Sequence, residues 1–302
     1  MELILAPTNL GLRPLWPGHL PGTWRAPEVL MACGLAQKLK PSAVISLPVP
    51  RYSAQAEPGT RIRNGHAIRE FCLRLAEDVA QSHSNGAFPL VIGGDCSILL
   101  GALAGARRAG PVSLIHIDGH SDFRHPGNAD MQALPGAVAG MDLALVTGRG
   151  EALLTDWPGI SGPLVKEAEI VQLGERESRD SDYAWPDVAQ TAITRLDVFA
   201  ANEAGPSGIL QQIHAMLQIS SQRFWIHFDV DVLDAQIMPA VDSPGSPGID
   251  PAWLETICAD LLQNPLCCGM TVSVYDPDRD ADHQCAALIV DLLAAMFSQS
   301  QR

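Results

Sequence analysis

Two short clusters of acidic residues and histidines, far apart in the sequence, constrain what this chain can fold into. The first is HIDGHSD at residues 116–122, and the second is HFDVD at residues 227–231. Each directly follows a run of apolar, β-favouring residues, so each is expected where a buried strand ends. Because open α/β sheets bind ligands beyond the carboxyl ends of their strands, the two clusters are predicted to meet at one edge of a sheet.

The spacing of the acidic residues predicts a metal site. In an extended segment, residues two apart share a face, so Asp118, His120 and Asp122 project together, as do Asp229 and Asp231. Carboxylates that converge in a buried place repel one another and are costly to desolvate unless cations lie between them. We therefore expect two divalent metal ions here.

Two histidines, His116 and His227, open the clusters and share the faces of the expected ligands. Each is a candidate ligand. Each could instead donate a hydrogen bond that orients a ligating carboxylate, and the sequence leaves both roles open.

Length and composition limit the architecture and the partners of the chain. With 302 residues, 47% of them hydrophobic, the chain can bury one large α/β core or two small ones, and we expect one domain over residues 1–302. The sequence has no apolar run of membrane-spanning length and no secretory leader, which predicts a cytoplasmic protein without membrane contact. A net charge of −14 argues against a nucleic-acid partner.

Strand-like and helix-like segments alternate along the chain. Apolar, β-favouring runs predict strands at residues 2–6, 43–47, 89–92, 112–118, 170–173, 224–229 and 270–275. Helical patterns lie between most of them, including residues 60–83, 97–108 and 283–297. This alternation predicts βαβ units, and therefore a three-layer α/β/α fold with a mainly parallel sheet.

Three long segments lack a strand or helix pattern, at residues 48–59, 123–140 and 234–248. Loops of this length are uncommon in compact domains unless they are functional. Since the second and third directly follow the acidic clusters, we expect them to form walls of a substrate pocket, with surface insertion as the alternative.

A third motif, GGDCS at residues 93–97, follows another apolar run. Its paired glycines permit a tight strand-to-helix turn, and Ser97 is expected to cap the helix.

With this motif, the order of the three motifs along the chain is similar to that of a known family. A strand ending in Gly-Gly-Asp-His-Ser, then Asp-x-His-x-Asp, then Asp-x-Asp-x-x-Asp before a Pro-rich loop is the signature of the arginase, agmatinase and formiminoglutamase family, the ureohydrolases. The chain resembles this family from end to end.

The resemblance implies an α/β/α fold and two Mn²⁺ ions bridged by a hydroxide, which attacks a guanidinium carbon to release urea or a related amide. The implied metal ligands come from all three motifs: Cys96, Asp118, His120, Asp122, Asp229 and Asp231. Asp118 and Asp229 would bridge the two ions. Cys96 and Asp122 would complete the coordination of one ion, and His120 and Asp231 would complete that of the other. Asp122 would also orient the hydroxide, so Asp122 and His120 are the expected catalytic residues.

Cys96 departs from the family pattern, because most members have a histidine ligand at this place. A thiolate is softer than imidazole, so Zn²⁺ or Fe²⁺ could replace Mn²⁺. The GGDCS form also resembles the arginase relative of D-cycloserine biosynthesis, which cleaves Nω-hydroxy-arginine to hydroxyurea and ornithine. The alternative is that Cys96 is a small packed residue beside an otherwise complete site.

Two further departures remove polar groups. Ala139 stands where arginases carry a histidine that is thought to shuttle protons, and Val274 stands where the family has a glutamate that holds the guanidinium. Losing that carboxylate removes a charge-assisted hydrogen bond, so unmodified arginine is a poor expected substrate. Asp276 is a candidate to compensate if strand alternation continues past Val274, and His125 or Tyr275 could take over proton transfer.

Arg124 and Ser243 are the other candidates for substrate binding. Arg124 falls where arginases place a short polar residue that binds the amino-acid end of the substrate. A guanidinium there predicts an acidic or amino-acid-like tail, which it would bind through two hydrogen bonds. Ser243 lies in the loop after the second cluster.

The leading hypothesis is a binuclear metal-dependent hydrolase that cleaves a linear C–N bond of a guanidino or N-hydroxyguanidino compound and releases urea or hydroxyurea. A formiminoglutamate-type hydrolase is the alternative enzyme. A metal-binding but catalytically silent relative is the alternative from another class, because two groups used in family catalysis are missing. The expected partner is a small amidino molecule, and the resemblance implies a homo-oligomer, a trimer or a hexamer.

Overall fold

One parallel sheet organises the protein. The structure is a computed structural model that describes residues 1–298, so residues 299–302 of the expected domain lie outside the described residues. Within the described range the sheet has eight strands: β1 Glu2–Ala6, β2 Ala43–Ser46, β3 Pro89–Gly93, β4 Val112–Ile117, β5 Ile170–Leu173, β6 Thr194–Leu196, β7 Arg223–Asp229 and β8 Cys267–Ser273. Their order is β2-β1-β3-β8-β7-β4-β5-β6, and every neighbouring pair is parallel.

Helices cover both faces of this sheet. In residues 1–298 they are α1 Ala26–Ala32, α2 Leu35–Leu39, α3 Gly65–Ser84, α4 Ile98–Arg107, α5 Asp142–Val146, α6 Ala152–Thr155, α7 Val198–Ser220, α8 Pro251–Gln263 and α9 Gln284–Phe297. Helices α3 to α6 pack on one face, and α1, α2, α7, α8 and α9 pack on the other. The predicted three-layer α/β/α fold is confirmed.

None of the described helices combines the length and the apolar character needed to cross a membrane.

The two faces of the sheet are separated by strand alternation. In β4, Ile115 and Ile117 join the core under α7, α8 and α9, whereas Leu114 joins the core under α3 and α4. Both sets of side chains are fully buried. Because a parallel sheet covered on both faces needs apolar residues at almost every position, these strands have the continuous apolar runs from which they were predicted.

Several elements differ from the sequence prediction. The strand β6 and the helices α1, α7 and α8 were not predicted. Helix α7 is kinked at Gly205, where φ is +64°, and the following Pro206 cannot donate the usual helix hydrogen bond. Strand β8 ends at Ser273 rather than at Tyr275, because Val274 has a φ of +74° and turns the chain out of the sheet.

The turn after β3 is held by Asp95 rather than by Ser97. The side chain of Ser97 makes no cap hydrogen bond to α4, so that prediction was wrong. Instead, Asp95 Oδ1 accepts a hydrogen bond from the Ser97 backbone N–H at 2.9 Å, and Asp95 Oδ2 accepts one from Thr8 Oγ1 at 3.2 Å. Gly94 lies against Thr8 so closely that a Cβ atom there would come within 1.7 Å of the Thr8 carbonyl oxygen.

Replacing Gly94 with alanine therefore tests this close approach. Because the added Cβ would clash with backbone atoms of Thr8, Gly94→Ala should lower the free energy of unfolding by about 1–3 kcal/mol or more, measured by urea denaturation. The matched control is Gly140→Ala, where an added Cβ meets no atom within 4 Å and stability should change little. Equal midpoints for Gly94→Ala and the parent protein would contradict the packing described here.

Candidate metal centre and cavity

The first acidic cluster forms a turn at the end of β4. It is not extended as expected, because β4 ends at Ile117 and Asp122 has a left-handed φ of +45°. Within the turn, Asp118 Oδ1 accepts a hydrogen bond from the His120 N–H at 2.6 Å. Gln172 of β5 donates to the Ser121 carbonyl at 3.0 Å. The turn, not strand alternation, is what places the acidic side chains on one side.

The second cluster bends in a similar way. After β7 the chain makes one 3-10 turn at Val230–Val232, in which Asp229 Oδ1 accepts a hydrogen bond from the Asp231 N–H at 2.8 Å. This bend brings Asp231 to the first cluster. Its Oδ1 accepts from the Gly119 N–H at 3.0 Å, and its Oδ2 lies 2.8 Å from His120 Nδ1.

The two turns and the motif after β3 bring all six expected ligands into overlapping groups. In each group the potential ligand atoms lie within 4.8 Å of one another. Three groups share Asp118: Cys96, Asp118, His227 and Asp229; Asp118, His120 and Asp231; and His116, Asp118 and Asp122. The overlap at Asp118 is the arrangement that a pair of neighbouring cations needs. Asp122 lies in a group with Asp118 and His116 rather than with Cys96.

Cys96 lies inside this cluster. It is 2% exposed, and its Sγ lies 2.7 Å from Asp229 Oδ2, as a hydrogen-bond donor. Burial raises the pKa of the Cys96 thiol well above its usual value, and the charge of Asp229 raises it further. A nearby cation would act in the opposite direction and favour the thiolate.

The raised pKa values of the buried carboxyl groups also indicate a site that would favour bound cations. Burial and Asp231 raise the pKa of Asp118 to about 7, against the opposing effect of His116. Asp118 Oδ2 is buried and has no hydrogen-bond partner among the described residues. Burial and neighbouring aspartates raise the pKa of Asp229 well above its usual range. Divalent cations would offset this repulsion, so the residues fit a metal pair.

His120 and Asp231 form a close opposite-charge pair in the cluster, with Nδ1 2.8 Å from Oδ2. Burial alone would raise the pKa of Asp231, but His120 and then Arg176 outweigh it and hold that pKa below its usual value. Burial would lower the pKa of His120, but Asp231 outweighs it and raises that pKa to about 9.

A buried polar row underlies the centre. His116 of β4 and His227 of β7 are register partners, and Thr271 of β8 is the next register partner. The two imidazole rings stack with their centroids 5.1 Å apart. Asp142, at the start of α5, lies between them, with Oδ1 3.2 Å from His116 Nε2 and Oδ2 3.5 Å from His227 Nε2. His227 Nδ1 lies 2.8 Å from Thr271 Oγ1.

A cavity of about 280 Å³ opens above the centre. Its floor consists of five of the expected metal ligands: Cys96, His120, Asp122, Asp229 and Asp231. Ala139 and Val274, where the family resemblance implies a histidine and a glutamate, both line it. The wall therefore presents a methyl and an isopropyl group beside the centre.

The expected substrate-binding residues separate into two classes. Arg124 and Ser243 line the cavity. Asp276 is not among its lining residues, because the positive φ of Val274 ends strand alternation before it. The Asp276 carboxylate instead accepts hydrogen bonds from the backbone N–H groups of Gly22 at 3.3 Å and Asp278 at 3.0 Å.

The two candidates for proton transfer also lie outside the cavity lining. His125 Nε2 lies 2.7 Å from Asp187 Oδ2. The Tyr275 hydroxyl donates to Asp280 Oδ2 at 2.7 Å, and Tyr275 is buried. The structure brings neither side chain to the centre.

Arg176 and Glu177 were missed by the sequence analysis. Arg176 donates to the Asp231 carbonyl at 2.6 Å and to the Pro247 carbonyl at 3.2 Å, and its guanidinium leaves no room for a Cβ at Gly119. Glu177 accepts hydrogen bonds from the Ser121 N–H at 3.1 Å and its hydroxyl at 3.0 Å. Both follow β5, so charged residues after a third strand at this edge were the available signal.

Relatives in sequence are arginases. The sequence profile described as the arginase family matches residues 19–298. Arginase from Bacillus caldovelox is 26% identical over 255 residues, which cover 84% of this chain and 83% of that protein. Arginase from Brevibacillus brevis is 28% identical over 228 residues, which cover 74% and 73%.

Solved structures share the fold. The native arginase of Bacillus caldovelox superposes with a TM-score of 0.85 at 24% identity and covers 100% of this chain and 99% of its own. The formimidoylglutamase of Bacillus subtilis superposes with a TM-score of 0.75 at 17% identity and covers 100% and 88%. The family resemblance inferred from the motifs is confirmed: the chain belongs to the arginase family of metal-dependent amidinohydrolases.

Proposed function

We propose that this protein is a binuclear metallohydrolase that cleaves a linear C–N bond of a guanidino or N-hydroxyguanidino compound and releases urea or hydroxyurea. The observation that carries the proposal is the convergence of three distant motifs around Asp118 at the floor of a cavity. Buried carboxylates with raised pKa values, one with an unpartnered oxygen, form a site that is stable when it holds cations.

The residues that would hold the metals are those of the overlapping groups: Cys96, Asp118, His120, Asp122, Asp229 and Asp231. Two divalent cations bound there would supply the Lewis acidity that lowers the pKa of water, which a resonance-stabilised amidino group requires. From the family, Mn²⁺ is the first expectation, and the thiol of Cys96 favours Zn²⁺ or Fe²⁺ as replacements.

Asp122 and His120 are the chain's own groups for handling the reacting atoms. Both line the cavity floor. Burial and neighbouring aspartates raise the pKa of Asp122 when the site holds no cation. Bound cations would lower that pKa again, so Asp122 would be a carboxylate that can accept a hydrogen bond from the attacking water. His120 is held in position by Asp231 at 2.8 Å. With Ala139 in the wall, Asp122 is the carboxyl at the floor best placed to take the proton lost by the attacking water.

Val274 and Arg124, which line the cavity, affect which amidino compounds are favoured as substrates. Val274 offers no carboxylate to a cationic guanidinium, so a strongly basic guanidine loses a charge-assisted hydrogen bond there. A hydroxyl substituent lowers the basicity of a guanidine and adds a hydrogen-bonding group, which favours an N-hydroxyguanidine. A formimino compound is the second candidate, favoured by Arg124 in the cavity lining. The trimeric or hexameric assembly and the cytoplasmic location stay predictions from the sequence.

A panel assay tests the proposed activity. Protein stripped by a chelator and reloaded with Mn²⁺, Zn²⁺ or Fe²⁺ should release urea, hydroxyurea or formamide from a guanidino, N-hydroxyguanidino or formimino compound. Metal loading should also raise the thermal midpoint, because it relieves carboxylate repulsion. Asp118→Asn should abolish both effects. Metal binding without turnover on any of the three classes would favour the catalytically silent relative.

Cobalt spectroscopy tests whether Cys96 is a ligand. Co²⁺-loaded protein should show a near-ultraviolet thiolate-to-metal charge-transfer band that Cys96→Ser removes. Cys258→Ser is the matched control, since Cys258 is buried in α8 away from the centre. Cys96→His should shift the metal preference towards Mn²⁺. A parent spectrum without the band would identify Cys96 as a packed residue only.

Replacing Asp142 tests the buried row. By contacting both His116 and His227, Asp142 is expected to fix the orientation of two imidazoles beside the ligands, so Asp142→Asn should weaken metal binding about 10–100-fold in calorimetric titration. Asp260→Asn, on the surface of α8, is the control with the same chemical change. Unaltered metal affinity in Asp142→Asn would limit the row to a packing role.

A further inference from the structure

We propose that Arg13 is the residue that selects substrates carrying a carboxylate at the end remote from the scissile bond. This inference rests on the proposed function for the position of the amidino group. It assigns a role to a residue that lies outside the three motifs and comes from the segment after β1.

The backbone that leads to Arg13 is held rigidly. The Leu10 carbonyl accepts a hydrogen bond from the Asn64 side chain at 3.0 Å, and the Leu12 carbonyl accepts one from the Tyr52 hydroxyl at 3.0 Å. The Gly11 carbonyl accepts one from the N–H of Ala139, in the cavity wall, at 3.1 Å. The segment therefore fixes Arg13 at the cavity, where its side chain joins the lining.

The charge of Arg13 is not held in an ion pair within the described part of the chain. Arg13 makes no salt bridge or hydrogen bond there, and its Nε is buried without a partner. Burial lowers the pKa of Arg13, the neighbouring Arg63 lowers it further, and Asp242 opposes them only in part. A half-buried guanidinium beside a second cation is costly to keep unless an anion joins it.

Arg124 contributes charge but few free donors. Its guanidinium donates to the Leu134 carbonyl at 2.6 Å and to the Pro135 carbonyl at 3.5 Å, so it anchors the loop at residues 123–140. It nevertheless lines the cavity, and its pKa is lowered by burial and by the charge of Arg13. Arg124 therefore adds positive potential, while Arg13 keeps its donors for a ligand.

Two acidic residues outside the expected metal ligands, Glu177 and Asp242, also line the cavity. Glu177 is engaged by Ser121, and Asp242 is engaged in part by the Ser243 hydroxyl at 3.3 Å. Asp242 can still accept a hydrogen bond from an ammonium group. The pattern accommodates either a simple carboxylate or the zwitterionic end of an amino acid, and in both cases the carboxylate binds Arg13. A purely cationic tail would meet two guanidinium groups.

Three matched compounds distinguish binding of a carboxylate tail, a zwitterionic amino-acid tail and a cationic tail. L-Arginine has both groups, 5-guanidinopentanoate lacks the ammonium, and agmatine lacks the carboxylate, while each keeps the guanidino group on a short alkyl chain. Their dissociation constants for metal-loaded protein, from calorimetry, should show both carboxylates binding about tenfold or more tightly than agmatine. The Nω-hydroxy forms should follow the same order. A smaller dissociation constant for arginine than for 5-guanidinopentanoate would identify the amino-acid form of the tail.

Substitutions at Arg13 complete the test. Arg13→Gln should raise the dissociation constant and the KM for the two carboxylates about tenfold or more, leave kcat within about twofold, and leave agmatine unaffected or better bound. Arg13→Lys should restore part of the difference. The control is Arg108→Gln, which removes the same charge from an exposed site at the end of α4. Circular dichroism and metal content confirm that each variant is folded and loaded.

The outcomes distinguish this inference from the proposed function. If no compound is turned over but the carboxylates still bind in an Arg13-dependent way, the hydrolase proposal fails and the role of Arg13 stands. If turnover occurs and agmatine binds as tightly as 5-guanidinopentanoate, or Arg13→Gln weakens all three equally, the role of Arg13 is overturned and the hydrolase stands.

Discussion

The burial of several carboxylates at one edge of a parallel sheet is the constraint on which the rest of this structure depends. Asp118, Asp122, Asp229 and Asp231 are all nearly inaccessible to solvent. Such a group is stable only if positive charge and hydrogen-bond donors surround it. The turns after β4 and β7 supply backbone N–H groups, the polar row beneath supplies imidazoles, and cations would supply the remainder. The apolar sheet provides the rigid frame that keeps these groups in position.

Sequence predicted the parts of the site that belong to strand ends. The ligands directly follow β3, β4 and β7, so the rule that parallel strands end together placed them in one region. Asp142 reaches the same region from the start of α5 and Arg13 from the loop after β1, and their approach depends on how those segments pack, which no local pattern shows. Arg176 follows β5, so its place after a third strand was the available signal. Helix α7 was not predicted because Gly205, which has non-helical φ and ψ, and Pro206 interrupt the helical pattern between two helical stretches.

Backbone conformation accounts for the predictions that failed near the site. Alternation was expected through residues 118–122, and it was the condition for a role of Asp276 beyond Val274, but Asp122 and Val274 both adopt positive φ. Positive φ is uncommon for residues other than glycine and is found where surrounding contacts compensate the strain. At Asp122 this conformation keeps the carboxyl at the cavity floor. At Val274 this conformation turns the chain away from the cavity. The Asp276 carboxylate therefore accepts a hydrogen bond from the backbone N–H of Gly22 and does not line the cavity.

The cavity combines two kinds of charge. Its floor carries the carboxylates that would hold cations, and its lining also contains the guanidinium groups of Arg13 and Arg124. Val274 presents an isopropyl group where the family resemblance implies a glutamate, so a cationic guanidinium would lose a charge-assisted hydrogen bond there. Under the hydrolase and Arg13 proposals, a larger share of the affinity would then come from the tail of the substrate, because Arg13 Nε is buried without a partner among the described residues. A weaker contact with the amidino group and a stronger contact with the tail would act together on specificity.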